Sequence, residues 1–180
     1  MKRFLVLVMV SILAVSVAFI GGCGDESPTP TTKTVTPGYY PFTPVKLGYG
    51  LEFPMDWECK VIEWEDAESV VMFTKPGTPT TLFVTVKLSN LSLEEVMGEL
   101  REEIEGLGLT IIEEREIVVD DREGYEVICK PIATVKMRQV IFIANGKTYM
   151  LVCSTAEVLY DEYRDTFDHI INSFTIRNSA

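Results

Sequence analysis

The sequence predicts an α+β domain, an α/β/α sandwich with a central antiparallel sheet, and three observations carry that prediction. Strand-length runs recur between residues 49 and 154, and some are joined by tight-turn residues such as Asn145-Gly146. Two stretches, one after Ser92 and one ending at Ile171, repeat apolar residues every three or four positions, the period of a helix with one buried face. Several strands are apolar at both parities, as in Val140-Ile141-Phe142-Ile143 and Tyr149-Met150-Leu151-Val152. A sheet with one wet face alternates, so these strands need cover on both sides, and the two helices supply it.

Tyr49-Gly50-Leu51-Glu52-Phe53 reads as a short strand with Leu51 and Phe53 on one face, stopped by Pro54. Residues 59–65 form a second strand in which Ile62 and Trp64 share a face and Val61 alternates with charged neighbours. Ala67-Glu68-Ser69 turns the chain into a strand over 70–74, and Lys75-Pro76-Gly77-Thr78-Pro79 loops into another over 81–88. Ser92 and Glu95 have capping-box spacing, in which each side chain takes an amide of the other's turn. Leu93, Val96, Met97, Leu100, Ile104 and Leu107 then line one helical face, ended by Gly106 and Gly108. Four strands follow, over 111–119, 124–132, 135–144 and 147–154, with Asp120 to Glu123 as one reversal. Asn145-Gly146 tolerates positive φ twice, so a type I′ turn sets Phe142 opposite Tyr149 and Arg138 opposite Cys153. Ser154 with Glu157 repeats the capping-box form ahead of a last helix, whose buried stripe is Leu159, Tyr163, Phe167, Ile170 and Ile171. Phe174-Thr175-Ile176 adds a closing edge strand.

Ahead of this domain, Lys2 and Arg3 precede an uncharged apolar run over 4–20, and Ile20-Gly21-Gly22-Cys23 follows. That is a lipoprotein signal peptide over 1–22, with Cys23 as the lipidation site. An uncleaved signal anchor is the competing reading, since about 18–20 apolar residues span a bilayer. Small residues that admit a peptidase, followed by a thiol able to form a thioether, decide for the lipobox. Residues 23–44 are a Thr/Pro-rich tether, extended at ~3 Å per residue and so reaching up to about 60 Å. The domain then occupies 45–177, outside the cell membrane to which lipid anchors it. Tyr39, Tyr40 and Phe42 are out of place in a spacer and form a possible interaction surface, docked on the domain edge or set against the membrane interface. Docking is the expectation.

The net charge of −11 becomes −13 once the segment holding Lys2 and Arg3 is removed. Nucleic-acid binding needs clustered Lys and Arg, so no nucleic-acid partner is expected. Besides Cys23, the chain holds Cys59, Cys129 and Cys153. An exported domain admits one disulfide among these three, which spacing does not choose, and buried free thiols are the preferred reading because each sits in a strand-like run. No CxxC or Cys/His spacing marks a zinc site, and no cofactor or metal is expected. The acidic runs Glu63, Glu65, Asp66, Glu68 and Glu113, Glu114, Glu116, Asp120, Asp121 lack the spacing that wraps one ion, and read as solvated faces. His169 is the one histidine, so any triad must use it; beside Asp168 on a helix it reads as a boundary residue. Trp57 and Trp64 read as core rather than as an aromatic binding surface. No catalytic residue is assigned and no enzyme is expected.

Five segments together resemble the PsbP-like family, which includes the extrinsic subunit of photosystem II, a Ran-binding nuclear import factor and many prokaryotic lipoproteins. They are Gly50-Leu-Glu-Phe-Pro-x-x-Trp57, Ser92-Leu-Glu-Glu, Gly124-Tyr125, Gly146-Lys-Thr-Tyr149-Met-Leu and Phe167-x-x-Ile170-Ile-x-Ser173-Phe174, in order over about 47–177. The resemblance implies an α/β/α sandwich and a non-catalytic accessory or binding role. A lipobox and tether replace the N-terminal region of the photosynthetic members, so their role is not carried over. The expected function is a lipid-anchored domain that binds or stabilises an unidentified membrane or envelope protein. A ligand- or cation-binding lipoprotein receptor is the alternative, and a hydrolase built on His169 ranks last.

Overall fold

A computed structural model describes residues 36–44, 47–64 and 67–177. Chain order within them runs β1 (Tyr39–Phe42), β2 (Tyr49–Pro54), β3 (Glu58–Ile62), β4 (Ser69–Thr74), β5 (Thr81–Leu88) and helix α1 (Leu93–Gly106). It continues with β6 (Thr110–Val119), β7 (Arg122–Ile132), β8 (Val135–Ala144), β9 (Lys147–Ala156), helix α2 (Tyr160–Ser173) and β10 (Thr175–Ile176). Seven strands form one antiparallel sheet in the order β3-β4-β5-β9-β8-β7-β6, and β1-β2-β10 form a small second sheet.

Local chemistry sets the turns. Asn145 and Gly146 take φ of 52° and 70°, and the hairpin they close pairs Phe142 with Tyr149 and Arg138 with Cys153, as the sequence predicts. Asp120 and Asp121 make the same kind of two-residue reversal, with φ of 48° and 61°. Ser92 caps α1 with its hydroxyl on the Glu95 amide, and Glu95 returns the bond to the Ser92 amide at 2.7 Å.

Each face of the large sheet has its own core. Met97, Leu100 and Ile104 of α1 pack on Phe83, Val127, Ile141 and Val152. Arg101 on Glu114 and Glu94 on the Tyr125 hydroxyl tie the same helix to β6 and β7. The opposite face is covered by α2 and, beside it, the small sheet. There Tyr49 stacks on Phe174 at 5.2 Å, and Phe142 stacks on Tyr149 at 5.3 Å. Offset and edge-on ring packing of this kind adds to area burial. The result is the predicted sandwich, with one outer layer part helix and part sheet.

Several expectations are corrected. Ser154 is not a helix cap: it lies in β9, paired with Thr81 on one side and Met137 on the other, and is buried. The β5 ladder holds β9 to Ser154 and the β8 ladder carries it on to Ala156. So α2 starts only at Tyr160, after a 3-10 turn over Glu157–Leu159 and without a side-chain cap. That shift buries Tyr160, which the expected stripe omits. Leu107 is 41% exposed because it is the C-cap residue beyond the helical face. β3 ends at Ile62, which leaves Trp64 at the surface, whereas Trp57 is core. β10 pairs with β2 in the small sheet rather than closing the large one. Pairing also begins ahead of residue 45, because β1 joins β2 with Tyr40 opposite Phe53.

Gly124 marks where backbones crowd: a Cβ there would sit 2.6 Å from the Ile141 carbonyl oxygen and 3.0 Å from Phe142 Cβ. Both obstacles belong to the paired strand and cannot rotate away. Gly124→Ala is expected to destabilise the domain by about 1–3 kcal/mol, measured by urea unfolding.

Candidate functional site

The β6–β8 end of the large sheet carries charge on the face where the other end carries aromatic rings. Side chains alternate along a strand, so every second residue shares that face. β8 presents Lys136 and Arg138 ahead of Val140 and Phe142, β7 presents Glu126 and Ile128, and β6 presents Glu113 and Arg115. From α2 come Tyr160, Arg164 and Asp168, spaced by four and so on one helical face. Together they line an open cleft of about 280 Å³ between helix and sheet.

Its floor is an ion-pair chain. Glu126 is 1% exposed, a depth at which a lone carboxylate is costly. Arg115 Nε donates to its Oε1 at 2.8 Å, and Arg138 Nε donates to its Oε2. Arg138 Nη1 then reaches Asp168 on α2, so charges alternate from the sheet edge to the helix. Burial works against the Arg138 charge, but the Asp168 and Glu126 carboxylates outweigh it and raise its pKa. Lys136 Nζ sits 4.0 Å from the centre of the Tyr160 ring, a cation–π contact. Burial pushes the Tyr160 hydroxyl up to about 12, so it stays a hydrogen-bond donor.

His169 sits elsewhere, at the seam with the small sheet. Its Nε2 meets Glu52 Oε2 at 2.8 Å, and the Tyr39 ring lies 3.9 Å from it, centre to centre. Burial raises the Glu52 pKa, but hydrogen bonds from Thr36 and His169 more than offset this and leave it lowered. Ser173 Oγ donates to the Ile170 carbonyl and accepts from the Glu52 amide, so it is not presented to His169 as a nucleophile. Cys129 and Cys153 are free and buried, and burial raises both thiols, Cys153 to about 12. A thiol that stays protonated is neither nucleophile nor metal ligand. Cys59 is disulfide-bonded, which corrects the preferred reading of it as a free thiol.

The residues singled out from sequence part company here. Cys23 lies outside the described residues, as do Glu65 and Asp66. Of the aromatic trio, Tyr39 covers His169, Tyr40 is 49% exposed beside Phe53, and Phe42 is buried edge-on against Phe73. Phe42 is core, not surface, because its position in β1 faces the large sheet. The second acidic run disperses: Glu113 faces the cleft, Glu114 meets Arg101, and Asp120 takes Arg122 and the Ile176 amide. Among the described residues no three metal-ligating side chains converge. The cleft itself is absent from the sequence reading. Its charges share the inward parity of three strands, but only the strand pairing makes those strands neighbours.

Fold and site together define an α+β sandwich with a charged cleft and, among the described residues, no assembled nucleophile and base. The PsbP family model matches residues 37–176, and the chain belongs to the PsbP family. It is similar to the solution structure of cyanobacterial PsbP (CyanoP) from Synechocystis sp. PCC 6803, with a TM-score of 0.63 and 15% identity, over 83% of this chain and 99% of that one. LpqN of Mycobacterium tuberculosis, described as involved in cell envelope biogenesis, gives a TM-score of 0.53 and 16% identity, over 81% and 88%. PA94 of Pseudomonas aeruginosa, described as a putative regulator of unknown function, gives 0.52 and 10%, over 78% and 98%. At these identities the likeness shows the fold alone. No curated protein matches the chain.

Two outcomes are expected. Glu126→Gln leaves Arg138 buried with half its counter-charge and destabilises by about 3–5 kcal/mol, whereas Arg115→Ala costs about 1 kcal/mol or less, because Arg115 is 54% exposed; urea unfolding measures both. Glu52 has its folded pKa below the ordinary 4.5, so its stabilising contribution is complete above that value and is lost as pH falls through the lowered one. The stability gap between native protein and Glu52→Gln, followed by unfolding across that range, should therefore close toward acid.

Proposed function

We propose that this chain is a lipid-anchored, outward-facing, non-catalytic domain that binds or stabilises a membrane or envelope protein. The single observation that carries the reading is how the reactive side chains are used. Arg138, Glu126 and Asp168 are bonded to one another, His169 is bonded to Glu52 and roofed by Tyr39, and the free thiols are buried. With Ser173 turned to backbone and the free thiols buried, none of these groups has a nucleophile beside it among the described residues, which supports a surface role over turnover. Membership of the PsbP family supports an accessory role, and the Ile20-Gly21-Gly22-Cys23 motif supports the anchor. A relative described as involved in cell envelope biogenesis agrees with that location.

The test is metabolic labelling with a tagged fatty acid, followed by affinity recovery from native membranes, with Cys23→Ala as control. The expected result is label on the wild-type chain alone and a co-recovered membrane or envelope protein that the control loses. An unlabelled chain whose Cys23 sulfur is held in a disulfide would overturn the anchor, because one sulfur cannot also form the thioether. Recovery of the same proteins with and without Cys23 would overturn the anchored partner. The cleft favours a second reading, a receptor for a small ligand.

A further inference from the structure

We infer that the cleft between α2 and the β6–β8 end of the sheet binds a small oxyanion, a carboxylate or phosphate group held between Arg115, Lys136 and Arg164. The assignment goes beyond the anchored-partner reading and does not depend on Cys23.

Charge placement is the first support. The chain carries 27 acidic residues against 16 Lys and Arg, yet four of those cations converge on this one cleft and face only three carboxylates. They come from two strands and a helix, so no single local sequence pattern gathers them. A cation is disfavoured by the same excess.

Unused donors are the second. Arg138 lies in the floor with its nitrogens on Glu126 and Asp168. The three rim cations are less committed. Arg115 uses Nε and Nη2 on Glu126 and lies 3.8 Å from Glu113 Oε1 through Nε, which leaves Nη1. Arg164 uses Nη2 on Asp161, and Lys136 has the Tyr160 ring and no carboxylate partner among the described residues. Charge-assisted bonds from such groups to one oxyanion are short and strong, more so beside the low-dielectric wall of Ile128 and the Tyr160 ring.

Size is the third. About 280 Å³ lies just below the range of roughly 300–1,000 Å³ that holds drug-sized ligands, so the occupant is small. Glu113, 52% exposed on the rim, is the carboxylate that opposes it.

The test uses the full-length protein in neutral detergent, titrated with inorganic phosphate and, separately, succinate, each against sodium chloride at equal ionic strength. Calorimetry and thermal unfolding are the readouts. Saturable binding of either anion, weakened about tenfold or more in the Lys136→Ala/Arg164→Ala double variant, is expected from the loss of charge-assisted bonds. Glu113→Gln should tighten the same binding, an effect that a purely structural role would not produce. The rim residues replaced have no buried ion-pair partner, so the variants keep the fold; circular dichroism checks this. A response that follows ionic strength alike in chloride, or that the double variant leaves unchanged, would overturn the site. Either failure would leave the anchored-partner reading in place, since labelling and recovery judge that reading.

Discussion

The bond from Arg138 to Asp168, backed by Glu126, is the constraint on which the functional face depends. It joins the middle of the sheet to the middle of α2, and it does so with Glu126 almost wholly buried. A buried pair is weak evidence for stability, because desolvation offsets much of the attraction. What it does supply is a fixed spacing. Asp168 sits one turn beyond Arg164 and two beyond Tyr160, so a bond at Asp168 sets how all three overhang the sheet. The cleft is the gap that this spacing leaves.

The other end of the same face is closed by a different kind of force. Tyr49, Phe174, Phe142 and Tyr149 pack ring on ring, and Phe42 and Phe73 extend the cluster to the small sheet. Tyr49 and Phe174 come from near the beginning and the end of the domain, so burying them against Phe142 and Tyr149 holds β2 and β10 beside α2. Aromatic contact closes one end and ionic contact holds the other open. That division, in one sheet, is why a family fold offers a polar site without losing its core.

Most of the fold was legible in the sequence because its signals are local. Ser92 and Glu95, Asn145 and Gly146, and the period of Met97, Leu100 and Ile104 each act within a few residues. Ser154 and Glu157 carry the same cap spacing and fail, because β9 is held by ladders on both sides and tertiary pairing overrides a local cap. The cleft was illegible for the complementary reason. Glu113, Glu126 and Arg138 become neighbours only through the β6-β7-β8 register, and β6 carries a bulge between Ile111 and Glu113 that no pattern announces. The His169–Glu52 contact spans 117 residues and has no sequence signal at all.

The physical picture is a domain of the PsbP family whose reactive groups are bonded to one another or buried, leaving a charged recess as its distinctive surface. The measurement that tests this most directly is a double-mutant cycle between Arg138→Met and Asp168→Asn in the full-length protein, read by urea unfolding at moderate salt. If the pair fixes α2 over the sheet, the two changes will be coupled by about 1–3 kcal/mol. Additivity within about 0.3 kcal/mol would contradict the account, because the aromatic core alone would then position the helix.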